Sequence, residues 1–313
     1  MNIALDMMGG DFAPEETIKG VKLFLSENSD PSVNLTLIGD IDQMSPHFEP
    51  GHADSHRIHL VHASDVIEME EHPTKALKEK PQSSIAIGFH LLATGKTDAF
   101  ISAGNTGAML VGSLYSIKAI NGVARPAIGA YMPRDNGKTS LLVDVGLNAD
   151  CKPENLSQFA LLGSLFAKYI LNFDNPRVAL INVGSEEGKG NILCQTAFPL
   201  LKENKQINFI GNIEGRDLLM GKAEVYVCDG FTGNIILKFA ESIYDIVQNR
   251  KIKDEYFNRF NFEMYGGVPV LGVNKPVIIG HGISTAGAFN NMILMAKKMI
   301  DEEFIEKIKS NFI

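Results

Sequence analysis

The sequence predicts an α/β protein built on a mostly parallel sheet that is covered by helices. Short runs rich in Val and Ile alternate along the chain with longer segments of helical periodicity, a pattern typical of parallel sheets. Some of the short runs are almost wholly apolar, such as Val178–Val183, in which Asn182 is the one polar residue. A strand has this composition when both of its faces are buried. Glycine-rich loops follow many of these runs, as expected where strands turn into helices.

The individual elements follow from the same periodicities, and two predicted helices begin at a proline, which the first helical turn tolerates. The predicted strands are Asn2–Leu5, Val33–Ile38, Arg57–Val61, Asp98–Ile101, Ala127–Met132, Ser140–Val143, Arg177–Val183, Ile207–Ile210, Glu224–Val227 and Val277–Ile279. The predicted helices are Pro14–Leu25, Ser83–Ala93, Thr106–Ile120, Pro153–Leu171, Ile192–Glu203, Thr232–Gln248 and Thr285–Lys298.

The length and charge of the chain narrow the function classes. The chain has 313 residues, 45% of them apolar, and a net charge of −8. This length permits one large domain or two smaller ones, and we expect one domain over 1–313. Its one shift in composition is Asn249–Glu263, which is charged and aromatic and predicts a surface excursion. The acidic balance excludes a typical nucleic-acid binder, which needs a basic face.

The sequence predicts a cytoplasmic protein. The first ten residues have neither the basic start nor the long apolar run of a signal peptide. No stretch of the sequence approaches the ~18 apolar residues of a membrane helix. The three cysteines are widely spaced and form neither a CxxC site nor a disulfide framework, which suits a reducing compartment.

The glycines are concentrated in loops that follow predicted strands. Such loops suit anion binding, because amides at a helix start lack intrahelical partners and glycine lets a ligand approach the backbone. In open α/β sheets, ligands bind at the carboxyl ends of the strands. We therefore expect the loops to line one anion-handling crevice. They are Asp6–Asp11, Ser102–Gly107, Asp144–Asn148, Gly184–Asn191, Asp229–Asn234 and His281–Ser284.

Two residues of these loops are candidate catalytic groups. Lys189 has a glycine on either side, which leaves its ammonium free to neutralise a phosphate; a solvated loop lysine is the alternative. Asn234 follows Gly233 and is either a residue of the first helical turn or an amide donor for a carbonyl oxygen that gains charge. The loop around Lys189 matches neither the P-loop nor the GxGxxG pattern.

Other loop residues are candidates for binding substrate or phosphate. Whether His281 is a buried histidine or a substrate contact stays open, as does a structural or substrate-binding role for Asp6, Asp11 and Asp229. Cys228 is most simply a packed thiol, and no histidine–cysteine pattern predicts a metal site. The candidate binding residues are Gly104, Asn105, Thr106, Gly107, Asp229, Thr232, Gly233 and His281.

Nine short runs of the chain together resemble one family, the phosphate acyltransferases of bacterial phospholipid synthesis. They occur in the family's order over nearly the whole chain, which makes the set specific. The runs are Asp6–Pro14, Ile101–Ala108, Arg125–Ile128, Asp144–Asn148, Glu187–Asn191, Phe209–Asp217, Asp229–Asn234, Tyr265–Gly267 and His281–Gly282.

This resemblance implies a three-layer α/β/α fold like that of isocitrate and isopropylmalate dehydrogenases and phosphotransacetylases. It implies a cytoplasmic homodimer that transfers an acyl group from acyl carrier protein to inorganic phosphate, without metal or organic cofactor. The acyl phosphate would pass to a membrane glycerol-3-phosphate acyltransferase. The family's proposed active-site lysine and asparagine match Lys189 and Asn234.

The chain departs from the family in one segment that bears on membrane attachment. Only 39 residues run from Asp229 to Gly267, counting both ends, where many relatives have a longer amphipathic hairpin. The resemblance therefore implies weak or no peripheral membrane contact here. We expect Phe257, Phe260 and Phe262 to supply at most a small apolar tip.

Two further hypotheses concern the partner and the reaction. Carrier proteins are acidic, as this chain is, so docking needs a local basic patch; the candidates are Lys75, Lys78 and Lys80, and the run Arg250–Lys253. The alternatives to an acyltransferase are a dehydrogenase of related fold and a non-catalytic ligand-binding regulator.

Overall fold

The computed structural model describes residues 1–48, 55–261 and 264–312, in which strands and helices alternate. The strands are β1 Asn2–Asp6, β2 Asn34–Gly39, β3 Ile58–His62, β4 Ala99–Ser102, β5 Ala127–Pro133, β6 Thr139–Val143, β7 Arg177–Ile181, β8 Asn208–Ile213, β9 Val225–Val227, β10 Gly267–Leu271 and β11 Val277–Gly280. The helices are α1 Glu15–Glu27, α2 Ile41–Met44, α3 Pro73–Glu79, α4 Ser84–Ala93, α5 Thr106–Gly112, α6 Pro153–Tyr169, α7 Ile192–Glu203, α8 Gly230–Asn249, α9 Glu255–Asn258, α10 Ala286–Asp301 and α11 Phe304–Asn311.

The chain forms two compact units, and each is assembled from two separate stretches. Unit 1 comprises Met1–Lys118 and Glu263–Ile305, and unit 2 comprises Ala119–Phe262 and Glu306–Ile313. The expectation of a single domain over 1–313 stays a prediction. Within the described ranges, no helix combines the length and the apolar content needed to cross a bilayer.

In unit 1 the strands lie in the order β3-β2-β1-β4-β11-β10. Neighbouring strands are parallel except for β10 and β11, which are antiparallel. Successive side chains of a strand point to opposite faces. Because four successive residues of β1 are buried, both faces of this strand are covered, as its apolar composition predicts.

In unit 2 the order is β5-β6-β9-β7-β8. The β5–β6 pair is an antiparallel hairpin, and the remaining pairs are parallel. Helix α6 packs on the middle of this sheet at Gly163, where a Cβ atom would lie 2.7 Å from Val225 Cγ1. The absence of that side chain lets the helix backbone approach the strands closely. The predicted mostly parallel sheet is therefore confirmed.

Every predicted strand is present, with ends that differ by a few residues, but β10 was not predicted. This strand contains Pro269, which lacks a ladder donor and argues against a strand in sequence. The predicted helix Thr106–Ile120 differs in its second half: α5 ends at Gly112 and continues directly into a π-helix over Ser113–Ile117. The short helices α2, α3 and α9, and the terminal helix α11, were not predicted either.

The excursion after α8 folds back onto unit 2. Phe260 is buried in contact with Tyr256 and Phe257. Arg259 donates hydrogen bonds to the carbonyl oxygen of Arg134 at 2.9 Å and to that of Lys138 at 2.7 Å. The expectation that Phe260 belongs to an exposed apolar tip is therefore wrong, because its ring packs inside this fold. Phe262 lies outside the described residues.

The packing of α1 against α10 in unit 1 depends on a glycine. A Cβ atom on Gly20 would lie 2.9 Å from the carbonyl oxygen of Ala286 and would also collide with Phe289 Cβ. The Glu16 carboxylate accepts a hydrogen bond from the Ala286 amide at 2.8 Å, and this bond holds α1 and α10 together at the same point. The two helix backbones therefore meet where only glycine fits.

We expect Gly20→Ala to lower the free energy of unfolding by about 1–3 kcal/mol, because overpacking forces the two helices apart. Gly287→Ala is the matched control: a Cβ atom at that position would meet no heavy atom within 4 Å, and alanine favours a helix by up to about 1 kcal/mol. Urea unfolding followed by circular dichroism measures both. Equal stability of the two variants would contradict this account of the packing.

Candidate active site

The parallel strands of unit 2 bring three glycine-containing loops to one edge of the sheet. Val227, at the end of β9, is paired with Val143 of β6 and with Leu180 of β7. Neighbouring strands lie about 5 Å apart, so the loops that follow β6, β9 and β7 leave the sheet side by side. Two of these loops lead to the predicted catalytic residues Lys189 and Asn234.

A buried carboxylate organises the loop after β6. Asp144 Oδ1 accepts hydrogen bonds from the amides of Ile128 at 2.8 Å and Val145 at 2.9 Å. Its Oδ2 accepts from the Asn148 amide at 2.6 Å and from Asn148 Nδ2 at 3.0 Å. Burial raises the pKa of Asp144, although hydrogen bonds from Ile128 and Asn148 oppose the shift. The side chain has no exposed surface, so its role is to hold the backbone.

The start of α8 packs directly on this loop. A Cβ atom on Gly230 would lie 2.8 Å from Asp144 Oδ2, and one on Gly233 would collide with the Asp144 carbonyl oxygen. The Gly230 amide donates to the carbonyl oxygen of Asn148 at 2.7 Å. Glycine at both positions therefore lets α8 begin against the end of β6.

Asp229 caps α8. Its Oδ1 accepts a hydrogen bond from the Thr232 amide at 2.9 Å, and its Oδ2 accepts one from Thr232 Oγ1 at 2.8 Å. A capping aspartate satisfies an otherwise unpaired amide of the first turn. Asp229, Thr232 and Gly233 thus form the helix start, and a contact of these three residues with substrate stays a prediction.

Asn234 projects from the beginning of α8 into solvent. Gly146 lies beside it: a Cβ atom on Gly146 would be 3.4 Å from Asn234 Oδ1, and this glycine has a φ of +131° that other residues rarely adopt. Within the part of the chain that the structure describes, no hydrogen bond engages the Asn234 side-chain amide. The amide is therefore available to a ligand.

Two buried asparagines hold the loop that carries Lys189. Asn182 Nδ2 donates to the carbonyl oxygen of Lys189 at 3.0 Å, and Asn212 Nδ2 donates to that of Glu186 at 2.8 Å. Both asparagines are nearly inaccessible to solvent. Neither was predicted to belong to the site, although Asn182 was visible as the polar residue of an apolar strand.

Gln195 of α7 holds the same loop from its other side. Its Nε2 donates to the carbonyl oxygens of Gly188 at 3.0 Å and Gly190 at 2.9 Å. No pattern in the sequence marks Gln195, since an exposed glutamine near a helix start is common. Together with the two asparagines it engages four carbonyl oxygens of the loop, and these oxygens are satisfied without a ligand.

The Lys189 ammonium is left unpaired by this arrangement. The side chain is exposed, and among the residues at 1–48, 55–261 and 264–312 no carboxylate forms an ion pair with it. The neighbouring Glu187 instead pairs with Lys202 at 2.6 Å. A held backbone and an unpaired ammonium favour binding of an anion.

Helices α7 and α8 follow the paired strands β7 and β9. Asn191 caps α7 by accepting a hydrogen bond from the Cys194 amide at 2.9 Å. Burial raises the pKa of the Cys194 thiol, and the negative charge of Asp229 raises it further. Because the strands that precede these helices are paired, the first-turn amides of both helices add positive potential to the same edge of the sheet.

Cys228 is a packed thiol. It is buried, and its Sγ lies 3.6 Å from the carbonyl oxygen of Asp144. Burial raises its pKa well above the usual value, and the charges of Asp229 and Asp144 add to the shift. A thiolate nucleophile at this position is therefore unfavourable.

Unit 1 has its own buried carboxylate at the end of β1. Asp6 Oδ2 accepts a hydrogen bond from Ser102 Oγ at 2.6 Å, and Ser102 Oγ in turn accepts one from the Gly104 amide at 2.9 Å. Burial raises the pKa of Asp6 against the effect of these hydrogen bonds. Asp6 is therefore a structural residue, and the Gly104 amide, predicted to bind phosphate, already has a partner.

The other predicted binding residues of unit 1 differ in accessibility. Asn105 is buried and caps α5, with Oδ1 at 2.9 Å from the Ala108 amide, while its Nδ2 donates to three carbonyl oxygens of residues 68–71. Thr106 is exposed. Gly107 packs against Pro73. The half-buried His281 has its Nδ1 at 3.4 Å from the Ile283 amide. Phosphate binding by these residues stays a prediction.

The conformation of the Lys189 loop can be tested at its two glycines. Gly190 has a φ of +93°, and a Cβ atom there would collide with Asn182 Oδ1, whereas a Cβ atom on Gly188 meets no heavy atom within 4 Å. Strain of this kind costs about 1–3 kcal/mol. We expect Gly190→Ala to increase amide hydrogen exchange over 183–194, and Gly188→Ala to leave it close to wild type. Equal exchange in the two variants would contradict the proposed hold of Asn182 on the loop.

Comparison with known proteins places this geometry in a family. A family model described as "Fatty acid synthesis protein" matches residues 1–256 and 248–307. The two matched stretches overlap over 248–256, at the end of α8 and the start of the excursion that follows it. The chain is 42% identical to the phosphate acyltransferase of Dictyoglomus turgidum over 327 aligned positions, which cover 98% of this chain and 96% of that protein. It is 41% identical to that of Halothermothrix orenii, with 99% and 98% covered.

Solved structures show the same fold at low sequence identity. A phosphotransacetylase from Streptococcus pyogenes has a TM-score of 0.65 at 16% identity and covers 96% of this chain and 94% of its own. A 4-hydroxythreonine-4-phosphate dehydrogenase from Klebsiella pneumoniae has a TM-score of 0.57 at 14% identity and covers 95% and 97%. These likenesses concern the fold alone and confirm the predicted α/β class. From its sequence relatives, the chain belongs to the phosphate acyltransferase family.

Proposed function

We propose that this enzyme transfers a long-chain acyl group from acyl carrier protein to inorganic phosphate, and that the reaction takes place at the carboxyl edge of unit 2. The observation that carries the proposal is the pair formed by the Lys189 ammonium and the Asn234 amide. Both groups are exposed and unengaged among the described residues, and they lie on segments that leave adjacent strands. The first is suited to a phosphate and the second to a carbonyl oxygen.

Lys189 holds the phosphate in this proposal. Its ammonium stands on a loop whose carbonyl oxygens already accept hydrogen bonds from Asn182, Asn212 and Gln195. An anion therefore meets the ammonium and the first-turn amides of α7 rather than bare carbonyl oxygens. Holding the phosphate in line with the thioester contributes up to ~7–11 kcal/mol, because a bimolecular encounter becomes an intramolecular one.

Asn234 stabilises the charge that forms on the acyl oxygen. A phosphate oxygen attacks the thioester carbon, and the carbonyl oxygen becomes an oxyanion that accepts a hydrogen bond from Asn234 Nδ2. One such preorganised donor contributes about 2.7–4 kcal/mol. The packing of α8 on Gly146 and Asp144 fixes the donor before the substrate arrives.

Collapse of the tetrahedral intermediate completes the transfer. The C–S bond breaks and the carrier thiolate departs, whereas the new bond between the acyl carbon and the phosphate oxygen is retained. A thiol with a pKa near ~8.5 is a good leaving group, so it needs no strong general acid. The proton of hydrogen phosphate passes to the departing thiolate, so the products are acyl phosphate and the carrier thiol.

The proposal extends to the partners of the enzyme. We propose a cytoplasmic homodimer with weak or no peripheral membrane contact, whose acyl phosphate serves a membrane glycerol-3-phosphate acyltransferase. The burial of Phe260 in the short excursion supports the weak contact, because an apolar side chain that packs within the fold is unavailable to lipid.

We propose Arg250, Lys251 and Lys253 as the docking patch for the acidic carrier protein. All three side chains are exposed at the end of α8. Lys75 and Lys78 are exposed alternatives, but Lys80 is not, because its ammonium pairs with Glu71 at 2.6 Å and donates to the carbonyl oxygen of Val66 at 2.7 Å.

Removal of the two proposed catalytic groups tests the reaction. The assay incubates the protein with palmitoyl-acyl carrier protein and phosphate and traps acyl phosphate with hydroxylamine. We expect Asn234→Ala to lower kcat about 10²–10³-fold through loss of an oxyanion donor. We expect Lys189→Ala to raise the KM for phosphate, because the ammonium neutralises the bound anion.

Two neighbouring positions provide matched controls. Lys205→Ala removes an exposed lysine that follows the end of α7, and Asn249→Ala removes an exposed asparagine from the far end of α8. Both should retain wild-type kinetics. Absence of phosphate-dependent hydroxamate from the wild-type protein would refute the proposed function. Wild-type kinetics of Lys189→Ala would refute only the proposed role of Lys189.

The docking patch makes a separate prediction. Replacement of Arg250, Lys251 and Lys253 by serine should raise the KM for acyl carrier protein and weaken its dependence on salt, because exposed charges attract a partner through screened fields. A palmitoyl-pantetheine thioester, which lacks the carrier protein, serves as the control donor and should be used equally well. Unchanged kinetics with the carrier-bound donor would contradict this docking patch and leave Lys75 and Lys78 as the candidates.

A further inference from the structure

Helix α8 carries a stripe of exposed apolar side chains that begins beside Asn234. Phe231, Ile235 and Phe239 are 64%, 52% and 71% exposed. Residues four apart lie on one face of a helix, so these three form a continuous row. Ile246 continues the row towards the end of the helix and is 54% exposed.

The opposite face of α8 is the one that packs on unit 2. Gly233, Ala240 and Val247 are its buried residues beyond the first, and their spacing of seven places them on one line. The apolar stripe therefore points away from the core of unit 2, although its side chains are large. An exposed apolar row of this kind marks a binding surface rather than a packing surface.

The loop that carries Lys189 shows the same feature. Val183 and Ile192 lie at its two ends and are 80% and 83% exposed. A single exposed apolar residue is ordinary, but here large apolar side chains flank both proposed catalytic groups. This arrangement suits an acyl thioester. Its carbonyl group needs polar partners, and its hydrocarbon chain needs an apolar surface next to them.

We infer that Phe231, Ile235 and Phe239 of α8 bind the acyl chain and so determine which acyl groups the enzyme accepts. This inference rests on the proposed function. The apolar part of the α8 surface next to Asn234 is formed by Phe231 and Ile235, so the chain of a thioester whose carbonyl is held by Asn234 meets these side chains when it runs along the helix. A rise of about 1.5 Å per residue gives a row of about 12 Å from Phe231 to Phe239, along which a long chain lies extended.

The experiment compares donors of different chain length. The ratio of kcat/KM for palmitoyl- and butyryl-acyl carrier protein is measured by hydroxamate formation for the wild type and for Phe231→Ala/Ile235→Ala. Burial of each methylene is worth about fourfold in affinity. We expect the wild type to favour the palmitoyl donor. In the double variant the palmitoyl-to-butyryl ratio should fall at least about tenfold, because activity with the palmitoyl donor falls while activity with the butyryl donor is retained.

Conservative and distant variants serve as controls. Phe231→Leu/Ile235→Val keeps an apolar surface and should retain most of the ratio, which separates loss of contact from misfolding. Met220→Ala removes a comparably exposed apolar side chain, 59% exposed, from the loop that precedes β9, at the other end of that strand from Asn234, and should leave the ratio within about twofold of wild type.

Three results would overturn the inference. They are a wild-type ratio near one, an unchanged ratio in the double variant, and an equal fall in the ratio for Met220→Ala. If sedimentation velocity also shows that the alanine variants lose an oligomer while the ratio is unchanged, a second copy of the chain covers the stripe instead. Failure of the proposed function is distinct, because then no donor yields phosphate-dependent hydroxamate.

Discussion

The close approach of α8 to the end of β6 is the constraint on which the site depends. Asp144 holds the turn after β6 by accepting backbone amides with both carboxylate oxygens, and the backbone of α8 meets this turn at Gly230 and Gly233. A buried carboxylate is costly unless hydrogen bonds satisfy it, so the turn can adopt few other conformations. The direction of α8, and with it the position of Asn234, follows from this contact.

The loop that carries Lys189 is also held in a fixed conformation, but by amide side chains instead of a carboxylate. Amide side chains of Asn182, Asn212 and Gln195 donate to loop carbonyl oxygens, which leaves the ammonium of Lys189 without a partner among the described residues. In both loops the backbone is fixed and the side chain of the proposed catalytic residue is unengaged. Such preorganisation is what makes polar groups effective in a transition state, since no reorganisation is needed when charge develops.

Most of the framework could be predicted from local sequence pattern, and the exceptions have physical reasons. Strand–helix alternation indicated the parallel sheet, but β10 was missed because Pro269 contradicts strand propensity, and tertiary pairing with β11 overrides it. Lys189 and Asn234 were found as polar residues next to glycines. Gln195 was not, because its role depends on a fold that brings its side chain to the carbonyl oxygens of Gly188 and Gly190, and no spacing rule encodes that.

The distribution of polar and apolar groups in unit 2 also explains why a short excursion is compatible with activity on a lipid precursor. The apolar stripe from Phe231 to Phe239 stands on α8, which the Asp144 turn fixes, whereas the excursion after α8 packs its Phe260 inward. The apolar surface next to Asn234 therefore belongs to unit 2 itself, which also carries the other proposed catalytic residue, Lys189. In the proposed complex the acyl chain exchanges contact with water for contact with these side chains before transfer, and this driving force requires no membrane.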